Sequence, residues 1–156
     1  MALHEIAGAR GEVGDVPALL AHLSKLPGEV LVLRASRIIG REHAESAVMH
    51  ARRAFTRGDN SARTLGMESL LYLAGERQIS RALSEFGVSP EDTELAILAF
   101  DNEADDVIEG RGWTREDSLL GLNDDKTQLI LEGECLRGLS PSDLALEKVA
   151  MLDINR

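Results

Sequence analysis

The run Glu76-Arg77-Gln78 lies between a leucine-rich segment ending at Leu73 and an apolar stripe that starts at Ile79. Gly75 breaks the chain between them, so the spacing predicts two helices joined at a tight corner, an αα-hairpin. Arg77 and Gln78 precede the second stripe and are expected to face solvent. A guanidinium beside the free backbone N–H groups of a helix entrance can hold an anion, and Glu76 would sit favourably near that helix's N-terminus. The same residues also make an ordinary solvated corner. Sequence alone leaves both readings open.

Other arrangements support no chemistry. His43 and His50 share a helical face, but neither has a His, Asp or Glu four residues on to complete a metal pair, and His4 and His22 stand alone; no metal is expected. The acidic run from Asp101 to Glu109 invites a calcium loop. Counted from Asp101, the positions that need Gly and Glu hold Asp106 and Gly112, so a solvated acidic face is expected instead. No phosphate-binding, dinucleotide-binding or nucleophile-elbow motif occurs. The expectation is therefore no catalytic residue and no cofactor.

The composition is that of a folded chain. Of 156 residues, 44% are apolar and 28% charged, close to the averages for soluble domains. One domain over residues 1–156 is expected. No apolar run approaches the roughly 18 residues a membrane span requires, and residues 5–10 do not resemble a secretion signal. Cys135 has no partner for an internal disulfide, which points to a reducing, cytoplasmic setting.

A net charge of −10 argues against a general nucleic-acid binder, but the charge is uneven. Residues 1–90 carry 11 Lys and Arg against 10 Asp and Glu, whereas residues 91–156 carry 6 against 17. Between Arg34 and Arg81 there are 9 basic and 5 acidic residues, and phosphate binding follows such local fields. Arginine supplies 14 of the 17 basic residues, giving planar, stacking-capable cations.

These features must be positioned by a mixture of helices and strands. Leu3 to Ala7 is predicted as a short edge strand. Asp15 caps a helix with Pro17 in its first turn and Leu19, Leu20 and Leu23 inward. Glu29 to Arg34 reads as a strand covered on both faces. Ala44, Ala47, Val48, Ala51 and Phe55 form the stripe of a helix closed by Gly58. A second helix is predicted from Ala62 to Ala74, burying Leu65, Leu70, Leu71 and Leu73. A third buries Ile79, Ala82, Leu83 and Phe86. Leu95 to Phe100 is a buried strand. Asn102…Asp105 and Thr114…Asp117 suggest two short helices around Trp113. Lys126 to Leu131 is open between helix and strand, and Ser140-Pro141-Ser142-Asp143 starts a last helix carrying Leu144, Leu146, Val149, Ala150 and Leu152. The fold class is α+β, a small sheet with several helices.

The segment ARTLGMESLLYLAGERQISRALSEFGV, residues 62–88, resembles the hallmark of the small non-catalytic subunit of KEOPS, the PRPK-binding protein family. Ala47 to Asp59 and the C-terminal ALEKVAMLDI are similar to the same family. KEOPS makes the threonylcarbamoyladenosine modification beside the tRNA anticodon. The resemblance implies a non-enzymatic adaptor that binds the N-lobe of a Bud-type atypical kinase and helps capture tRNA by its single-stranded 3′ end. On this reading Arg63, Arg77 and Gln78 contact tRNA, arginine planes standing in for scarce aromatic rings. Met151 and Ile154 on the C-terminal helix are candidate kinase contacts. Neither a membrane nor duplex DNA is expected as a partner. The alternatives are a helix-turn-helix DNA-binding module reading with Arg77, Gln78 and Arg81, and a small enzyme.

Overall fold

The computed structural model describes residues 3–121, 126 and 141–154, the last helix with side chains from Ala145 to Leu152. Among the described residues, six α-helices and one four-stranded antiparallel sheet give the expected α+β class. The chain divides into two compact units, one of residues 1–36 and 87–120, the other of 37–86 and 121–156.

The first unit holds strands β1 (His4–Arg10), β2 (Glu29–Arg34), β3 (Glu94–Phe100) and β4 (Thr114–Arg115), in the order β2-β3-β1-β4. β3 is central and buried, as its apolar run requires, and Val30 to Leu33 of β2 are buried on both faces. The predicted edge strand is corrected. β1 runs on to Arg10 and lies between β3 and β4, with His4 opposite Phe100 and Arg10 opposite Glu94. Its covering strand is only two residues long, too short to read from sequence. Gly8 makes the approach possible. A Cβ there would collide with the Glu116 carbonyl, and the Glu116 N–H donates to Gly8 O at 2.8 Å.

On one face of the sheet Ala7, Ala9, Val30, Val32, Leu95, Ile97 and Ala99 form a core with α1 (Val16–Ser24), α5 (Ala104–Gly110) and Trp113. Asp15 caps α1 as expected, accepting the Ala18 N–H at 3.1 Å. Leu19 and Leu23 are buried, but Leu20 points outward, about 100° around the helix from Leu19. Only one of the two helices expected around Trp113 forms. At α5 the Ala104 N–H is taken by Glu5 Oε1 of β1 at 2.8 Å rather than by a local cap. Thr114 and Arg115 extend instead and pair with Arg10 and Ala9 of β1, and Arg115 reaches Glu5, Asp105 and Asp117 at 3.0, 2.9 and 3.1 Å. Only Asp117–Leu120 turns, as a 3-10 helix.

The second unit holds α2 (Arg41–Arg57), α3 (Leu65–Ala74), α4 (Ile79–Phe86) and α6 (Pro141–Ile154). α2 buries Ala44, Ala47, Val48 and Ala51 as predicted, with Ala54 replacing half-buried Phe55. These small side chains let α3 and α6 pack against it. α3 starts at Leu65 rather than Ala62, because the Thr64 hydroxyl caps it by accepting the Met67 N–H at 3.2 Å. Leu65 is consequently half-exposed, while Leu70 to Leu73 are buried. α4 buries Ala82 and Phe86, but Ile79 and Leu83 are 38% and 41% exposed, against expectation. They flank the stripe rather than centre it. α6 begins at Pro141 as predicted and buries Ala145, Val149 and Leu152, with Leu146 and Ala150 half-buried. Ser140, the Leu144 side chain and residues 127–131 lie outside the described residues. Among the described residues no helix is long and apolar enough to cross a membrane.

Candidate functional site

The corner between α3 and α4 is built by Gly75. Its φ of 62° and ψ of 36° are left-handed, which glycine adopts at little cost. The Gly75 N–H donates to Tyr72 O at 3.2 Å and the Glu76 N–H to Leu71 O at 3.0 Å, closing α3. Glu76 then turns its carboxylate onto the next amide, and Oε1 accepts the Arg77 N–H at 3.2 Å. The same oxygen lies 4.0 Å from Arg81 Nη1. The predicted anion site thus already holds a carboxylate of this chain at the Arg77 amide. The Arg77 and Gln78 side chains are exposed.

Arg63 is also exposed, but it precedes the Thr64 cap. The ten residues of α3 separate its two ends by about 15 Å along the axis. The fold therefore brings Arg77 and Gln78 together and leaves Arg63 at the opposite end of α3.

α6 reaches the corner at Lys148. A Cβ built on Gly75 would stand 3.3 Å from both Lys148 Cβ and its carbonyl oxygen. Met151, three residues further along α6, is 40% exposed. Ile154 ends the helix, and its side chain lies outside the described residues.

Behind the corner sits His43, which sequence alone weighed only as a metal ligand and which the fold uses in another way. His43, on the buried side of α2, accepts the Ile39 N–H at Nδ1 at 3.0 Å, while Nε2 lies 3.0 Å from Leu73 O. The first contact makes Nδ1 the acceptor, so Nε2 carries the proton and donates to the carbonyl. Burial pushes the imidazole down to about 4, with the charges of Lys126 and Lys148 acting the same way and the Leu73 hydrogen bond opposing. With both ring nitrogens engaged, His43 is no metal ligand. Among the described residues no cluster of His, Cys, Asp and Glu could hold a metal.

Two further buried polar residues escaped the sequence reading. Glu68 is buried and its Oε1 accepts the Ser61 and Ala62 N–H groups at 3.0 and 2.9 Å, holding the turn before α3. Its place between Leu65 and Leu71 on a helical stripe was a readable sign of burial. Lys126 is buried with Nζ donating to Ile38 O and Gly121 O at 2.6 and 2.8 Å; nothing in its local pattern signals this.

Known proteins bear on the corner. A family model described as Kinase binding protein CGI-121 matches residues 12–129, a span that includes Arg63, Arg77 and Gln78 and stops short of Met151. The Regulatory protein Cgi121 of Methanocaldococcus jannaschii is 28% identical over 127 residues, covering 80% of this chain and 83% of that protein. With most of the chain matched, including both helices of the hairpin, the protein belongs to the CGI-121 family of kinase-binding proteins.

Proposed function

We propose that this kinase-binding protein is a cytoplasmic, non-enzymatic adaptor of KEOPS that docks on the Bud-type kinase and offers the α3–α4 corner to the single-stranded 3′ end of tRNA. The observation that carries the RNA part is the outward-facing Arg77–Gln78 pair, fixed by Gly75 in the locally basic part of an acidic chain. A guanidinium on a short, held corner can pair a phosphate or stack on an unpaired base without aromatic neighbours. Arg63 belongs to the same contact only if the RNA runs along α3, a reach of about 15 Å, which a few nucleotides of extended strand can span. For the kinase, Met151 and Ile154 of α6 are joined by Ile79 and Leu83, apolar residues that α4 leaves exposed.

The test is binding of tRNA with an intact 3′ end, tRNA lacking that end, and duplex DNA. Intact tRNA should bind best, and Arg77→Glu should weaken it and flatten its salt dependence while leaving thermal unfolding nearly unchanged. Equal affinity of a folded Arg77→Glu, Arg63→Glu variant would refute the RNA contact. Preference for duplex DNA would favour the helix-turn-helix alternative with Arg77, Gln78 and Arg81.

A further inference from the structure

In an unbroken helix the Leu73 carbonyl would accept the Arg77 N–H, four residues on. At the corner that bond is absent, and each half of it has gone to a side chain. The carbonyl takes the His43 Nε2–H at 3.0 Å, and the amide donates to Glu76 Oε1 at 3.2 Å. Leu73 is buried, and a buried carbonyl left without a donor is costly. Without His43 the carbonyl would lose that donor, and the donor a continuing helix would supply is the Arg77 amide. Extending α3 by that bond would carry Arg77 and Gln78 into the helix and out of their present direction.

We propose that His43 is a positioning residue for the Gly75–Gln78 corner: anchored by the Ile39 amide, its ring takes the Leu73 carbonyl and thereby keeps Arg77 and Gln78 outside α3. The role rests on the reading of that corner as an RNA contact. The ring is gripped from several elements. The Ile39 N–H comes from the segment before α2, the Leu73 carbonyl from α3, and the Phe86 ring from α4 stands edge-on at 6.4 Å between centroids. Lys148 of α6 and buried Lys126 are the charged groups that act on it, and both oppose a second proton. One tautomer is thus fixed, with an acceptor and a donor in set directions. Leucine would match the volume and offer neither; glutamine has one of each.

The wild-type protein gives the first readout. Long-range nitrogen–proton NMR at neutral pH should show His43 neutral with its proton on Nε2. An imidazolium or an Nδ1–H tautomer would overturn the proposal whatever the variants do. Next, His43→Leu, assayed where it is folded, should bind intact tRNA about tenfold more weakly. His43→Gln should stay within about threefold of wild type. A folded His43→Leu with wild-type affinity would overturn the role. Arg77→Glu in the wild-type background separates the two ideas. If it leaves tRNA affinity unchanged, the RNA reading fails on its own, and the Arg77 and Gln78 amide shifts decide the positioning. Shifts that move in His43→Leu and return in His43→Gln support it; shifts that stay in place refute it.

Discussion

Gly75 meets Lys148 so closely that a methyl group on the glycine would stand 3.3 Å from the lysine Cβ and from its carbonyl oxygen. Two demands therefore coincide at one residue, a left-handed backbone and a missing side chain. Gly58 closes α2 with a φ of 77° but has nothing within 4 Å of its Cβ position. Gly58→Ala should lose only the left-handed penalty, about 1–2 kcal/mol. Gly75→Ala should lose that and more, because backbone on α6 must shift. Urea unfolding of both variants checks this. Equal losses would mean that α6 yields without cost.

The buried imidazole makes stability depend on acid. His43 is pushed from 6.5 down to about 4 by folding, so between those pH values the unfolded chain binds a proton that the folded one refuses. Its contribution is fully present above pH 6.5 and is lost as pH falls toward 4. The loss is about 3 kcal/mol if the whole shift is realised. Carboxylates titrate in the same range, so the comparison is with His43→Gln. Urea unfolding curves of wild type should fall faster than those of the variant between neutral pH and pH 4.5. Parallel curves would show that the ring takes up its proton without cost.

What sequence carried and what it did not follows from how local each cause is. Asp15, Gly58 and Gly75 act on their own helix ends, and each was readable. The strands β2 and β3 announced themselves by unbroken apolar runs. β4 did not, since a two-residue strand exists only by pairing with β1, Arg115 opposite Ala9 and Thr114 opposite Arg10, a partner remote in sequence. The corner was legible as an exposed Arg-Gln pair. Its support was not: His43 lies thirty residues before Leu73, and no periodicity links them. Ile79 and Leu83 were misread because a helical stripe gives the direction of burial and not its depth.

Glu68 should behave as a structural carboxylate. It holds two amides of the turn that leads into α3, and the buried Ala62 donor is costly to strand in the interior, about 1–3 kcal/mol. Glu68→Gln keeps an acceptor in place and should cost less than Glu68→Leu, which keeps none. Chemical denaturation gives the order, and amide exchange at Ser61 and Ala62 shows whether the turn opens. Equal stability of wild type and Glu68→Leu would refute the assignment.

α4 offers a way to separate core from partner surface within one short helix. Phe86 is buried beside His43, and Phe86→Ala should cost about 3–5 kcal/mol of stability. Leu83, 41% exposed, should tolerate Asp with a change within about 0.5–1 kcal/mol, since it loses little packing. Binding should invert this order. Interfaces draw most of their energy from a few apolar anchors, and among the described residues Leu83, Ile79 and Met151 are the large apolar side chains that α4 and α6 leave open. Titration against the cognate kinase, with complexes followed by size-exclusion chromatography, should give a one-to-one complex for wild type that survives moderate salt, because apolar contacts are not screened. Leu83→Asp and Met151→Asp should each raise the dissociation constant by about tenfold or more, far more than their small effect on thermal stability accounts for. If both variants bind as wild type does, the kinase is held elsewhere, and the exposed apolar edge of α4 needs another explanation.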